Sequence, residues 1–233
     1  MPSSIGVLRE GPLHAALKRA LAAPGDRHEV ALGRFVIDIV RADGELVEIQ
    51  TGGFGPLGPK LDALLDTHRF RIVYPVAARR RIVRVNGDGE VLSARTSPRR
   101  GSPLEIFDRL VSFPSLIGHP HLTIEVVQVA EDHVRAPAPT RVRRRTRDPG
   151  ERRLVDVLER LELTHPGALL ELLGPLPPGP FTTRELACAL QCRPLLAQRV
   201  VYCLRALELI VAVGKRGPAP LHVLCPQAAA ALV

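Results

Sequence analysis

Asp38, Glu48 and Gln50 are the residues of this chain whose types and spacing point to chemistry. They lie in FVIDIVRADGELVEIQ, residues 35–50. Alternation along a strand puts Val36, Asp38 and Val40 on one face, and Leu46, Glu48 and Gln50 on one face of the next strand. A three-residue loop, Ala42-Asp43-Gly44, with Gly44 in the left-handed conformation, pairs position 41 with 45 and so sets Asp38 opposite Glu48. A two-residue Asp43-Gly44 loop would pair 38 with 49 instead. The longer loop is preferred because it buries Ile37, Ile39, Val47 and Ile49 together. Two opposed carboxylates repel each other unless a cation neutralises them. A hard divalent ion, Mg²⁺ or Mn²⁺, does so while keeping water and substrate phosphate oxygens in its shell. Such an ion activates water and stabilises the charge that builds up on a phosphodiester. The chemistry expected of the pair is metal-dependent phosphodiester hydrolysis.

The elements that would position these residues follow from periodicity. An amphipathic helix over Leu13–Ala22 ends at Pro24-Gly25. Three strands follow, at 28–33, 35–40 and 45–51, then a glycine- and proline-rich loop over 52–59. Apolar residues at 61, 64 and 65 give helical spacing after Lys60, and Phe70–Val76 reads as a buried strand. A hairpin over 81–85 and 90–94 turns at Asn86-Gly87-Asp88-Gly89. A helix near 103–111 and a strand over 122–129 complete an N-terminal α/β domain, residues 1–135.

The order α-β-β-β-α-β, with an acid in the second strand and Glu48-Ile49-Gln50 in the third, resembles the PD-(D/E)XK nuclease superfamily over roughly residues 12–76. The resemblance implies a restriction-endonuclease-like core with a mixed sheet, in which Asp38 and Glu48 bind the metal. In that superfamily the last motif residue, usually Lys, positions or activates the attacking water; here it is Gln50. Some members supply the lysine from the following helix, which Lys60 opens here. A further Glu often precedes the first strand, and Glu29 fits that place. The implied activity is that of an Mg²⁺-dependent endodeoxyribonuclease. The alternative is a non-catalytic DNA-binding or adaptor protein on a degenerate nuclease fold, which the loss of the lysine charge at Gln50 favours.

A basic linker follows. Residues 136–153, APAPTRVRRRTRDPGERR, hold seven arginines and two acids, and most of the net charge of +8 resides there. Alternating Ala-Pro reads as an extended connection. Arg143, Arg144 and Arg145 are the candidate phosphate contacts. Residues 154–233 read as mainly helical, with helices over 151–163 and 166–173, a capping box at Thr182–Glu185, a helix from Pro194 to Leu207, and a hairpin around Gly214-Lys215-Arg216. Helix, turn, helix, hairpin is the layout of a winged helix. Its last helix would bury Leu196, Val200, Leu204 and Leu207. It would offer Arg193, Gln198, Arg199, Tyr202 and Arg205 to base edges, with Lys215 and Arg216 suited to phosphate.

Composition bounds the rest. In 233 residues, 45% hydrophobic and 24% charged, no run of ~18 uncharged apolar residues exists, and charges come too early for a signal peptide. Only three of the 32 basic residues are lysines, a bias that weakens arginine content alone as a sign of DNA binding. The four cysteines form no disulfide framework, and with His222 they match no zinc ribbon or finger. The expectation is therefore a cytoplasmic protein using Mg²⁺ or Mn²⁺, with no organic cofactor and no zinc. DNA is the expected partner, RNA and a homodimer stay open, and no membrane is involved. Aromatic residues, at 3%, argue against a platform that stacks single-stranded bases.

Overall fold

The computed structural model of the chain describes residues 10–136 and 150–226. It is an α/β protein with a mixed sheet of seven strands and several helices. The elements are α1 (Pro12–Leu21), β1 (Arg27–Leu32), β2 (Phe35–Val40), β3 (Leu46–Ile49), α2 (Gly58–Leu64), β4 (Phe70–Val85), β5 (Val91–Thr96), α3 (Phe107–Leu110), β6 (Leu122–Arg135) and β7 (Glu151–Leu163). They continue as α4 (Pro166–Leu173), α5 (Thr183–Ala189), α6 (Pro194–Ala206), β8 (Ile210–Arg216) and β9 (Ala219–Leu224). The large sheet runs β1-β2-β3-β4-β6-β7, with β5 pairing on β4; β8 and β9 form a separate hairpin. By contacts the chain divides into one unit of residues 1–51, 73–102 and 127–161, and another of 52–72, 103–126 and 162–233.

In the first unit, Leu13, Leu17 and Leu21 recur every fourth residue of α1 and are buried against Ile39, Val47, Ile49, Val73, Val127 and Val129. Pro12 begins the helix, where a missing N–H costs nothing. The β2–β3 hairpin has the expected register: Ile39 pairs with Val47 and Val40 with Leu46. Arg41 N–H donates to Glu45 O across the loop, and Gly44 sits at φ +86°, which glycine adopts without steric cost.

Two expectations are corrected. The strand expected over Phe70–Val76 and the one over 81–85 are one strand, β4, because the intervening Ala-Ala-Arg-Arg offers no turn residue. The helix expected over 151–163 is strand β7 at the sheet edge. Its apolar spacing reads as helical, but pairing with β6 supplies cross-strand partners that local propensity does not foresee. Gln128 bonds Glu159, and Arg152 reaches the buried Glu131 at 2.8 Å. Residues 154–163, assigned above to the C-terminal domain, thus belong to the large sheet. Most of the basic linker, including Arg143, Arg144 and Arg145, lies outside the described residues.

In the second unit, the Thr182–Glu185 capping box forms as expected: Thr182 Oγ1 accepts from Glu185 N–H, and Glu185 Oε2 accepts from Thr182 N–H at 2.7 Å. Leu196, Val200 and Leu204 of α6 are buried, while Leu207 is only partly so. Helix α3, with Phe107 and Leu110 fully buried, packs on α6.

Candidate functional site

Asp38 sits on β2 and Glu48 on the neighbouring β3, and the observed pairing of the two strands ends at Ile39–Val47, one residue short of both. The register between β1 and β2 pairs His28 with Ile39 and Val30 with Ile37, which sets Glu29 across from Asp38 on the other side. Glu29, Asp38 and Glu48 thus stand on three adjacent strands. Glu29 has φ +51°, a left-handed conformation that costs a non-glycine residue about 1–3 kcal/mol and tends to persist at functional positions.

The cations that meet Asp38 and Glu29 come from α1. Asp38 Oδ2 lies 3.0 Å from His14 Nε2 and accepts the Ile49 N–H at 2.8 Å, in the place of a backbone ladder bond. His14 Nδ1 is 2.7 Å from Glu10 Oε1, and Lys18 Nζ is 2.7 Å from the same oxygen. Lys18 also pairs with Glu29. Burial alone would lower the His14 imidazole. The hydrogen bond and charge of Asp38, and then those of Glu10, overcome this and raise it from its ordinary 6.5 to about 9. Burial would raise the Asp38 carboxyl, but His14, the Ile49 N–H and the Lys18 charge hold it below 3.8. Lys18 is pushed up by Glu10 and Glu29 against its own burial. Near neutral pH the site therefore holds an imidazolium and an ammonium facing carboxylates.

Glu48 is buried, 6% exposed, in a central strand rather than at an edge. Gln50 closes β3, its backbone N–H bonded to Val73 O at 2.8 Å. Lys60 stands on α2, which belongs to the second unit. The Mg²⁺ implied by the resemblance meets a poor fit. The Asp38 oxygen already has two donors, and no group of three or more His, Cys, Asp or Glu side chains able to hold a metal occurs among the described residues.

Sequence reasoning missed Glu10, His14 and Lys18. Their signal was the i, i+4, i+8 spacing along the flank of the Leu13, Leu17, Leu21 stripe, which on its own reads as a solvated helix face.

Of the expected nucleic-acid contacts, Arg193 and Arg199 both pair with Asp108 of α3, with Arg199 Nη1 2.5 Å from Oδ1. Arg216 pairs with Glu185 at 2.5 Å. Gln198, Tyr202 and Arg205 are exposed on α6 and line a groove of about 550 Å³ with Pro220 and His222. Lys215 is exposed on β8. Cys188, Cys192, Cys203 and Cys225 are free thiols, and burial pushes Cys203 up to about 12.

An α/β module in which Asp38 and Glu29 are paired with His14 and Lys18 is what the fold and site define. The chain belongs to the DUF8091 family, a domain of unknown function whose model matches residues 11–164. That span runs from α1 to the end of β7 and so contains the whole seven-stranded sheet. An uncharacterized protein of Treponema pallidum (strain Nichols) is 35% identical over 177 residues, covering 75% of this chain and 70% of the relative. No solved structure matches the chain.

Proposed function

We propose that this protein binds DNA without cleaving it, on a nuclease-like α-β-β-β-α-β core whose Asp38 and Glu29 are paired with the protein's own cations. The observation that carries this reading is the His14–Asp38 pair. The position beside the carboxylate, where a catalytic metal would neutralise it, is filled by an imidazolium. Gln50 in place of the motif lysine agrees. Support for DNA as the partner comes from α4, α5, α6 and the β8–β9 hairpin, which follow the winged-helix order. Gln198 and Arg205 stand clear of the ion pairs that occupy Arg193 and Arg199, and residue types of this kind read base edges. A reduced, cytoplasmic setting suits the four free thiols, and no helix among the described residues is long and apolar enough to cross a membrane.

A second reading, a metal-dependent nuclease, is favoured by one observation: Glu29, Asp38 and Glu48 stand on three adjacent strands, β1, β2 and β3. One experiment separates the two readings. The protein is incubated with supercoiled, linear, branched and single-stranded DNA in Mg²⁺, Mn²⁺ or EDTA. Retarded but uncut DNA under every condition is the expected outcome. Cleavage that requires metal and disappears in Asp38→Asn would replace the proposal with the nuclease reading.

A further inference from the structure

The β4–β5 hairpin and β6 enclose a cavity of about 320 Å³ in the first unit, within the usual range of ligand sites, ~300–1,000 Å³. Four arginines line it, Arg79, Arg80 and Arg81 from β4 and Arg100 from the turn after β5, against two acids, Glu131 and Asp132. The acids are already engaged. Arg80 Nε donates to the fully buried Glu131 at 2.6 Å, and Arg81 forks onto Asp132 at 2.6 and 2.7 Å. These pairs engage the half-buried Arg80 and the exposed Arg81. Arg79 and Arg100 have no ion-pair partner among the described residues, so the excess positive charge of the cavity rests on them.

The backbone holds Arg100 in place. Ser97 N–H donates to Arg80 O and Gly101 N–H to Ala77 O, both at 2.8 Å, so the turn folds back onto β4. Gly101 permits this approach, because a Cβ there would lie 2.7 Å from Val76 Cγ1 and 2.9 Å from Ala77 O. The hydroxyl side chains of Thr96 and Ser97 complete the lining. Guanidinium groups match the oxygens of a phosphate group.

We infer that this cavity binds phosphate groups, either of a small free phosphate compound or of a nucleic-acid backbone, through Arg79 and Arg100. The cavity shares no lining residue with the Asp38 site or with the α6 groove.

The test is calorimetry on the full chain with inorganic pyrophosphate and, separately, a short DNA duplex, comparing wild type with the double variant Arg79→Ala/Arg100→Ala and with Arg100→Glu. Wild type is expected to bind pyrophosphate saturably, and the double variant to bind it at least ~10-fold more weakly, as expected for losing charge-assisted contacts, with an unchanged melting temperature. If duplex affinity falls with pyrophosphate affinity, the phosphate source is the nucleic-acid backbone. If duplex affinity holds while pyrophosphate affinity falls, the source is a small free phosphate compound rather than a nucleic-acid backbone. No saturable pyrophosphate binding by wild type, or equal binding by well-folded variants, overturns the assignment.

Discussion

His14 is the residue on which the state of the Asp38 site turns. Its groups in contact are Asp38 and Glu10, and Lys18 shares the Glu10 oxygen. A folded pKa of about 9 against an ordinary 6.5 means that the protonated imidazole is favoured by folding. Its stabilising contribution is fully present below 6.5 and is lost as pH rises through about 9. The Asp38 contribution has the opposite sign: it is present above 3.8 and is lost as pH falls through the lowered folded value. The pair therefore stabilises most between about 4 and 6.5. His14→Ala leaves a largely buried carboxylate without its cation and should cost about 2–4 kcal/mol at pH 6, toward the lower end for a site that is not fully desolvated. Urea unfolding at pH 6 and pH 9.5 checks this, because the gap between wild type and variant should narrow at the higher pH. A gap independent of pH would mean that His14 acts by packing alone.

At the scale of elements, α6 separates structural arginines from those available to a ligand. Arg193 and Arg199 are occupied by Asp108, whereas Gln198 and Arg205 face the groove. Arg193→Ala and Arg199→Ala should lower the melting temperature while leaving the salt dependence of duplex binding unchanged. Arg205→Ala should weaken binding and reduce the slope of log affinity against log salt by about one, and Gln198→Ala should weaken binding with the slope kept. Fluorescence anisotropy over a salt series measures both. The sequence made the β2–β3 hairpin legible because one glycine loop and four apolar residues allow a single register that buries them all. It did not make β7 legible, because Leu154, Val157 and Leu161 repeat as a helix would and the strand is decided by partners on β6. Nor did it reveal His14 and Lys18 as parts of the site, because their i, i+4, i+8 spacing with Glu10 reads as a solvated helix face and does not say which strand residues they meet. The side chain that closes Asp38 is 24 residues away in sequence.

For the whole molecule, the family match and the contact-defined units do not coincide. The match ends at residue 164, after β7, yet residues 52–72 and 103–126 cluster with the C-terminal helices rather than with the rest of the matched span. Helix α3 shows why, since it packs on α6 and its Asp108 is paired with Arg193 and Arg199. A truncation ending at residue 164 keeps every strand of the large sheet but removes both of those guanidinium groups. It should melt below the full chain and bind more of a hydrophobic dye, through Phe107 and Leu110. Calorimetric scanning of the two proteins measures the difference, and equal melting would show that α3 does not need α6.

The bond from Ile49 N–H to Asp38 Oδ2 makes one amide proton a witness to one carboxylate. Most amides in a sheet interior exchange with solvent only when the backbone ladder opens. This one is shielded by a side chain, so its protection follows the charge and rotamer of Asp38 as well as the integrity of the strands. In an NMR spectrum the Ile49 amide would thus register protonation of Asp38, or arrival of a competing cation, while the amides beside it stayed silent.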